Sequence, residues 1–117
     1  MKDFKKLLIW QKGMDTVVEV YKASYKFPDE EKYGLRSQAT RSAVSIPANI
    51  AEGSAKTSQK EYKYFLEIAL GSSFELETHI LIVQRLGWVK DDIVEGLLRM
   101  ITEEQRMLSA FIAKVKA

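Results

Sequence analysis

At 117 residues, 46% hydrophobic and 29% charged, the chain has the length and composition of one soluble globular domain with a real core. A net charge of +2 does not by itself imply nucleic-acid binding, and the lack of cysteine excludes disulfides, thiolate chemistry and zinc–sulfur sites. No apolar run approaches the roughly 18 residues of a membrane span, and Leu7 to Trp10 is too short for a signal peptide, so a cytoplasmic protein with no membrane partner is expected.

The first predicted helix covers about 9–27, after a frayed or extended arm over 1–8. Trp10, Met14, Val17, Tyr21 and Tyr25 recur every three or four residues as its apolar stripe, widened by Val18 and Val20. Phe27-Pro28 closes it, because a residue before proline is pushed out of the α region. Asp29 is the expected N-cap of a second helix over about 29–52, with Glu30 and Glu31 favourable in its first turn.

That second helix carries three rows at helical spacing. Leu35, Ala39, Ser42, Ile46 and Ile50 form an apolar and small face. Gln38, Arg41, Ser45, Asn49 and Glu52 form a polar stripe beside it, and Arg36, Thr40, Ala43, Pro47 and Ala51 a third row. Pro47 lacks an N–H and its ring crowds the carbonyl of Ala43, so a kink costing roughly 3 kcal/mol is expected there. The alternative is that one short helix ends at Pro47 and another begins. Ser42 and Ser45 are the hydroxyls placed to meet freed carbonyls. Gly53 reads as the left-handed residue that stops the helix.

Ser58-Gln59-Lys60-Glu61 is a capping box opening a third helix over about 59–86. Its core stripe is Tyr62, Phe65, Ala69, Ser72, Leu76, Ile80 and Val83. Gly71-Ser72-Ser73 is a small patch that would let another helix come close, and Gly87 ends the element. A fourth helix over about 91–115 follows, with Asp92 and Glu95 as a second possible capping box. Val94, Leu97, Leu98, Ile101, Leu108, Phe111, Ile112 and Val115 give its apolar face; Glu104 and Gln105 interrupt that face at mid-helix. Four amphipathic helices with short connections predict an all-α protein, an antiparallel up-down-up-down four-helix bundle forming one domain over 1–117. In that register Arg36 falls near Glu75, and Arg41 within reach of Glu67 or Asp15.

The runs LRSQATRSAVSIPANIAEG and YFLEIALGSSFELETHILIVQRLG strongly resemble the four-helix bundle proteins encoded in intervening sequences of bacterial 23S ribosomal RNA genes. IWQK and FPDEEKYGL are similar to the same family, and the likeness covers about residues 8–112. Its most specific parts are Ser45-Ile46, Asn49 to Gly53, and Glu75 to Thr78. The resemblance implies a left-handed up-and-down bundle that assembles as a ring-shaped homopentamer. It also implies a relationship to the accessory protein of diversity-generating retroelements, a pentameric bundle that binds nucleic acid and a reverse transcriptase. It carries no catalytic residue to any position here.

The residues point the same way on catalysis. A carboxylate-bridged metal site would need Glu-x-x-His pairs from several helices, and His79 is the one histidine, with Leu76 three residues before it. No nucleophile motif, phosphate-binding glycine loop or dinucleotide fingerprint is present. The expectation is a protein that is not an enzyme and takes no cofactor or metal. The polar stripe has two readings: an internal hydrogen-bond network supporting Pro47, or a contact surface for a subunit or ligand. Residues 1–63 carry 12 Lys and Arg against 8 Asp and Glu, and 64–117 carry 6 against 8. That imbalance is either scatter or a basic face. For RNA or DNA the candidate contacts are Arg36, Lys56, Lys60 and Lys63, interleaved with Tyr62 and Tyr64. The competing class is a protein–protein scaffold with no nucleic-acid role.

Overall fold

The computed structural model describes residues 2–116. It contains four α-helices, α1 (Leu8–Ser24), α2 (Leu35–Ser54), α3 (Gln59–Leu86) and α4 (Asp91–Lys114). Two short 3-10 turns, Phe4–Lys6 and Asp29–Glu31, precede α1 and α2. The 28 residues of α3 rise about 42 Å at helical pitch, which is the 43 Å long axis of the molecule. Each helix packs on its sequence neighbours, and α1 closes the bundle against α4. Contacts run in opposite order along successive helices. Gly13 lies beside Pro47, while Ser24 meets Arg36; Ser42 meets His79, while Gly53 lies against Phe65. Across the last pair Gln105 reaches Glu77 and Phe111 meets Tyr62.

The arm before α1 is ordered: the Asp3 side chain accepts from the Lys5 N–H, and Phe4 meets Trp10 edge-on at 5.3 Å. α1 stops at Ser24, earlier than the proline alone implied. The Lys26 and Phe27 N–H groups fold back onto the Ala23 and Ser24 carbonyls. The α1 stripe is also rotated from its expected place. Ile9, Gly13, Thr16, Val20, Ala23 and Ser24 face inward, while Met14, Val18, Tyr21 and Tyr25 are exposed. The interior selected small residues because α1 sits close to α2: a Cβ on Gly13 would lie 3.5 Å from Ile46 and 3.6 Å from Pro47.

The second helix begins six residues later than expected. Asp29 to Glu31 form a separate 3-10 turn, and the Glu31 carboxylate accepts from the Leu35 N–H at 2.9 Å, capping α2. Gly34 makes room for it, since a Cβ there would stand 2.6 Å from Glu31 Oε1. α2 is continuous through the buried Pro47. Gly53 is not a left-handed stop: it is helical, and Gly87, at φ 71°, is the one glycine with positive φ among the described residues. Gly53 serves a close approach instead. A Cβ on it would fall 2.9 Å from the Phe65 Cβ.

Ser58 caps α3 as its motif requires. Its Oγ accepts from the Glu61 N–H at 3.1 Å, and its hydroxyl meets the Glu61 carboxylate at 3.2 Å. The second box does not form: Lys90 is the N-cap of α4, and Asp92 accepts only from the Ile93 N–H. The Gly71 patch divides. Gly71 faces open space, whereas Ser72 and Ser73 are buried. At the centre lie Ile46, Ile50, Leu66, Leu76, Ile80, Ile101 and Leu108. Glu104 lies among them with no exposed surface. Among the described residues no helix is long and apolar enough to cross a membrane.

Candidate functional site

Two polar regions stand out on this frame: a cleft between α2 and α3, and a lysine-rich end. The cleft follows from register. Gln38, Arg41 and Ser45 lie on one face of α2, three and four residues apart. Glu75 and His79 lie four apart on the facing side of α3. Together with Ser42 they line an open cleft of about 280 Å³.

Its floor is fixed by hydrogen bonds. Ser45 Oγ and Ser72 Oγ are 2.8 Å apart, joining the two helices. Asn49 Nδ2 donates to the Ser45 carbonyl at 2.8 Å and to Ser45 Oγ at 2.9 Å. The Ser42 hydroxyl lies 3.0 Å from the Ala39 carbonyl, which accepts from it, and 3.2 Å from His79 Nδ1, joining α2 to the imidazole. Burial lowers the His79 pKa below its ordinary value, opposed by the Glu75 carboxylate, so the ring is neutral at pH 7. The rim, by contrast, is unpaired. Among the described residues the two ion pairs are Lys12–Glu103 at 3.4 Å and Lys22–Glu19 at 3.5 Å, so Arg41 and Glu75 have no charged partner within 4 Å.

The polar stripe therefore splits. Gln38, Arg41 and Ser45 border the cleft, Asn49 braces it from below, and Glu52 is exposed and outside it. The expected approach of Arg41 to Asp15 or Glu67 does not occur. Arg36 is not a free basic group near Glu75. Its Nε donates to the Ser24 carbonyl at 2.9 Å and its Nη2 to the Phe27 carbonyl at 3.2 Å, so it clamps the C-terminal end of α1. The periodicity placed Ser72 in the core and Ser42 toward carbonyls freed at Pro47, and gave His79 no partner. The signal that unites them is cross-helix register, since Glu75 and His79 share a face opposite Ser42 and Ser45.

The second region is the end of the bundle where the N-terminal arm, the α2–α3 connection and the C-terminus meet. Lys2 Nζ lies 4.5 Å from the centre of the Tyr62 ring and Lys56 Nζ 5.1 Å from that of Phe65. Lys60 and Lys63 stand on the first turns of α3, with Tyr64 59% exposed between helix and solvent. Tyr62 is core: it is buried, its hydroxyl has no partner, and burial raises its pKa. Its edge-on contact with Phe111, at 6.1 Å, brings the α4 terminus with Lys114 and Lys116 to the same end.

Residues 5–110 match the family model described as 23S rRNA-intervening sequence protein. No curated protein matches the chain. A solved crystal structure from Bacteroides thetaiotaomicron VPI-5482, described as a protein with unknown function from the S23 ribosomal protein family, is similar at 23% identity and a TM-score of 0.84. The alignment covers 90% of this chain and 98% of that one. At that identity the likeness shows the fold alone. Among the described residues no group of three or more His, Asp and Glu is placed to hold a metal ion.

Proposed function

Because the chain belongs to the 23S rRNA-intervening sequence protein family, we propose that it acts as a homo-oligomeric, nucleic-acid-binding accessory protein rather than an enzyme. The observation that carries this reading is the lysine-rich end. Lys2, Lys5, Lys6, Lys56, Lys60, Lys63, Lys114 and Lys116 gather there from four separate stretches of chain, against Asp3, Glu52 and Glu61. A net charge of +2 conceals this concentration. Clustered ammonium groups bind phosphates by releasing counterions, largely without regard to sequence, and exposed Tyr64 supplies a stacking surface.

Self-association would multiply the patch: five subunits at +2 present about +10 on one particle. The exposed Met14, Val18, Tyr21 and Tyr25 of α1 and Val44 of α2 supply an apolar surface for it. The same surface supports the second reading, a protein–protein scaffold. A binding titration with structured RNA, single-stranded DNA and duplex DNA at two salt concentrations separates them. Binding that weakens steeply with salt, and that drops for all sequences alike when Lys60 and Lys63 are changed to Glu, is the expected result. No binding to any of the three at low salt rejects the nucleic-acid reading in favour of the scaffold.

A further inference from the structure

We propose that the α2–α3 cleft receives one unpaired guanine base, whose Watson–Crick edge donates to Glu75 and whose N7 and O6 accept from Arg41. The inference rests on the nucleic-acid reading and adds a base-specific contact to it. The cleft's volume, about 280 Å³, lies just below the usual range for ligand pockets and suits a single heterocycle. Its rim presents one guanidinium and one carboxylate with no ion-pair partner within 4 Å among the described residues. A phosphate would be repelled by Glu75 and a cationic side chain by Arg41. The group that fits carries no net charge and offers acceptors on one edge and donors on the next.

Among the bases only guanine does so with two adjacent donors. Its N1–H and N2–H₂ match both oxygens of a carboxylate, and its O6 and N7 match the two-pronged arginine fork. Cytosine and adenine each offer one exocyclic donor beside an acceptor, and uracil one N–H between two acceptors. The remaining groups agree. The His79 imidazole, held by Ser42 at Nδ1, lines the same cleft and brings a ring nitrogen able to donate or accept. The Gln38 amide can donate or accept. Ser45 is held from both sides by Ser72 and Asn49, so the floor is set before a base arrives. Unstacked single-stranded bases are read on these same edges. Ser45 lies about 14 Å of helical rise from Ser54, the last residue of α2, a span that a few nucleotides cover between the cleft and the lysine end.

The test uses fluorescence anisotropy at low salt with labelled uridine oligonucleotides carrying one central guanosine, inosine or adenosine. Inosine differs from guanosine only by the missing 2-amino group. Guanosine should bind about tenfold tighter than either. Glu75→Gln should bring the guanosine oligonucleotide down to the inosine affinity, and Glu95→Gln, on α4 and outside the cleft, should keep the preference. Equal affinities for all three oligonucleotides overturn the guanine assignment while the nucleic-acid reading stands. Absence of binding by any of them overturns both. A changed sedimentation coefficient for Glu75→Gln, with no change in base preference, overturns it in favour of a subunit contact.

Discussion

At the scale of the residue, Glu104 is the least comfortable group in the molecule. Its side chain has no exposed surface, and neither carboxylate oxygen has a hydrogen-bond partner. Burial, reinforced by the neighbouring Glu103 charge, pushes its pKa up to about 8, so at neutral pH it is largely a protonated acid. The folded protein then holds a proton that the unfolded chain releases near pH 4.5. Stability is highest below that pH as far as this group is concerned, falls as pH rises from about 4.5 to 8, and levels off above. Thermal midpoints measured across that range should fall for the native chain, and Glu104→Gln should flatten the slope. An unchanged slope would mean that Glu104 is ionised and solvated. Hydrophobic periodicity saw Glu104 only as a break in the α4 stripe, because a pattern of residue types records polarity without recording burial. The α1 phase differs from its aromatic stripe for the opposite reason: Gly13, Thr16 and Ala23 take the inside, because small residues go where helices come close, and Tyr21 and Tyr25 turn outward.

The elements themselves were more legible. The caps at Ser58 and Gly87 and the four helical segments follow from local signals of one or two turns. What local signals could not supply was contact between distant segments. Gly53 looked like a helix stop and is a packing site; Gly71 looked like a packing site and faces solvent. The same substitution should therefore act with opposite sign at the two positions. Gly71→Ala gains helix propensity with no obstruction and should stabilise by roughly 0.5–1 kcal/mol. Gly53→Ala gains the same propensity but forces its Cβ against Phe65 and the Tyr62 backbone, and should destabilise by about 1–3 kcal/mol. Urea denaturation of both variants measures this directly. The cleft was half legible in the same way: one row of polar residues on α2 was visible, but its partners on α3 needed a register good to less than a turn.

At the scale of the whole molecule the bundle is chemically different along its length and around its circumference. Lysines crowd one end, the acidic Asp29–Glu31 turn and Asp91–Asp92 occupy the other, and apolar side chains mark the outer α1–α2 face. The proposed self-association would use that face. Sedimentation velocity at micromolar concentration should show a species well above 13.4 kDa, and Val18→Lys should shift it toward the monomer. A native chain that sediments only as a monomer would remove the avidity from the proposed function.

The Arg36 clamp has a kinetic consequence. It ties the end of α1 to the start of α2 across a short stretch of chain, so the contacts that close this hairpin are local in sequence. The remaining joins, α2 to α3 and α3 to α4, are also between chain neighbours with short connections. Little loop entropy is lost before each contact forms, and such topologies fold in microseconds to milliseconds. If copies associate as proposed, two subunits meeting at micromolar concentration take far longer, so each monomer is complete before it meets another. On that proposal refolding should separate into a fast phase independent of protein concentration and a slower one that scales with it.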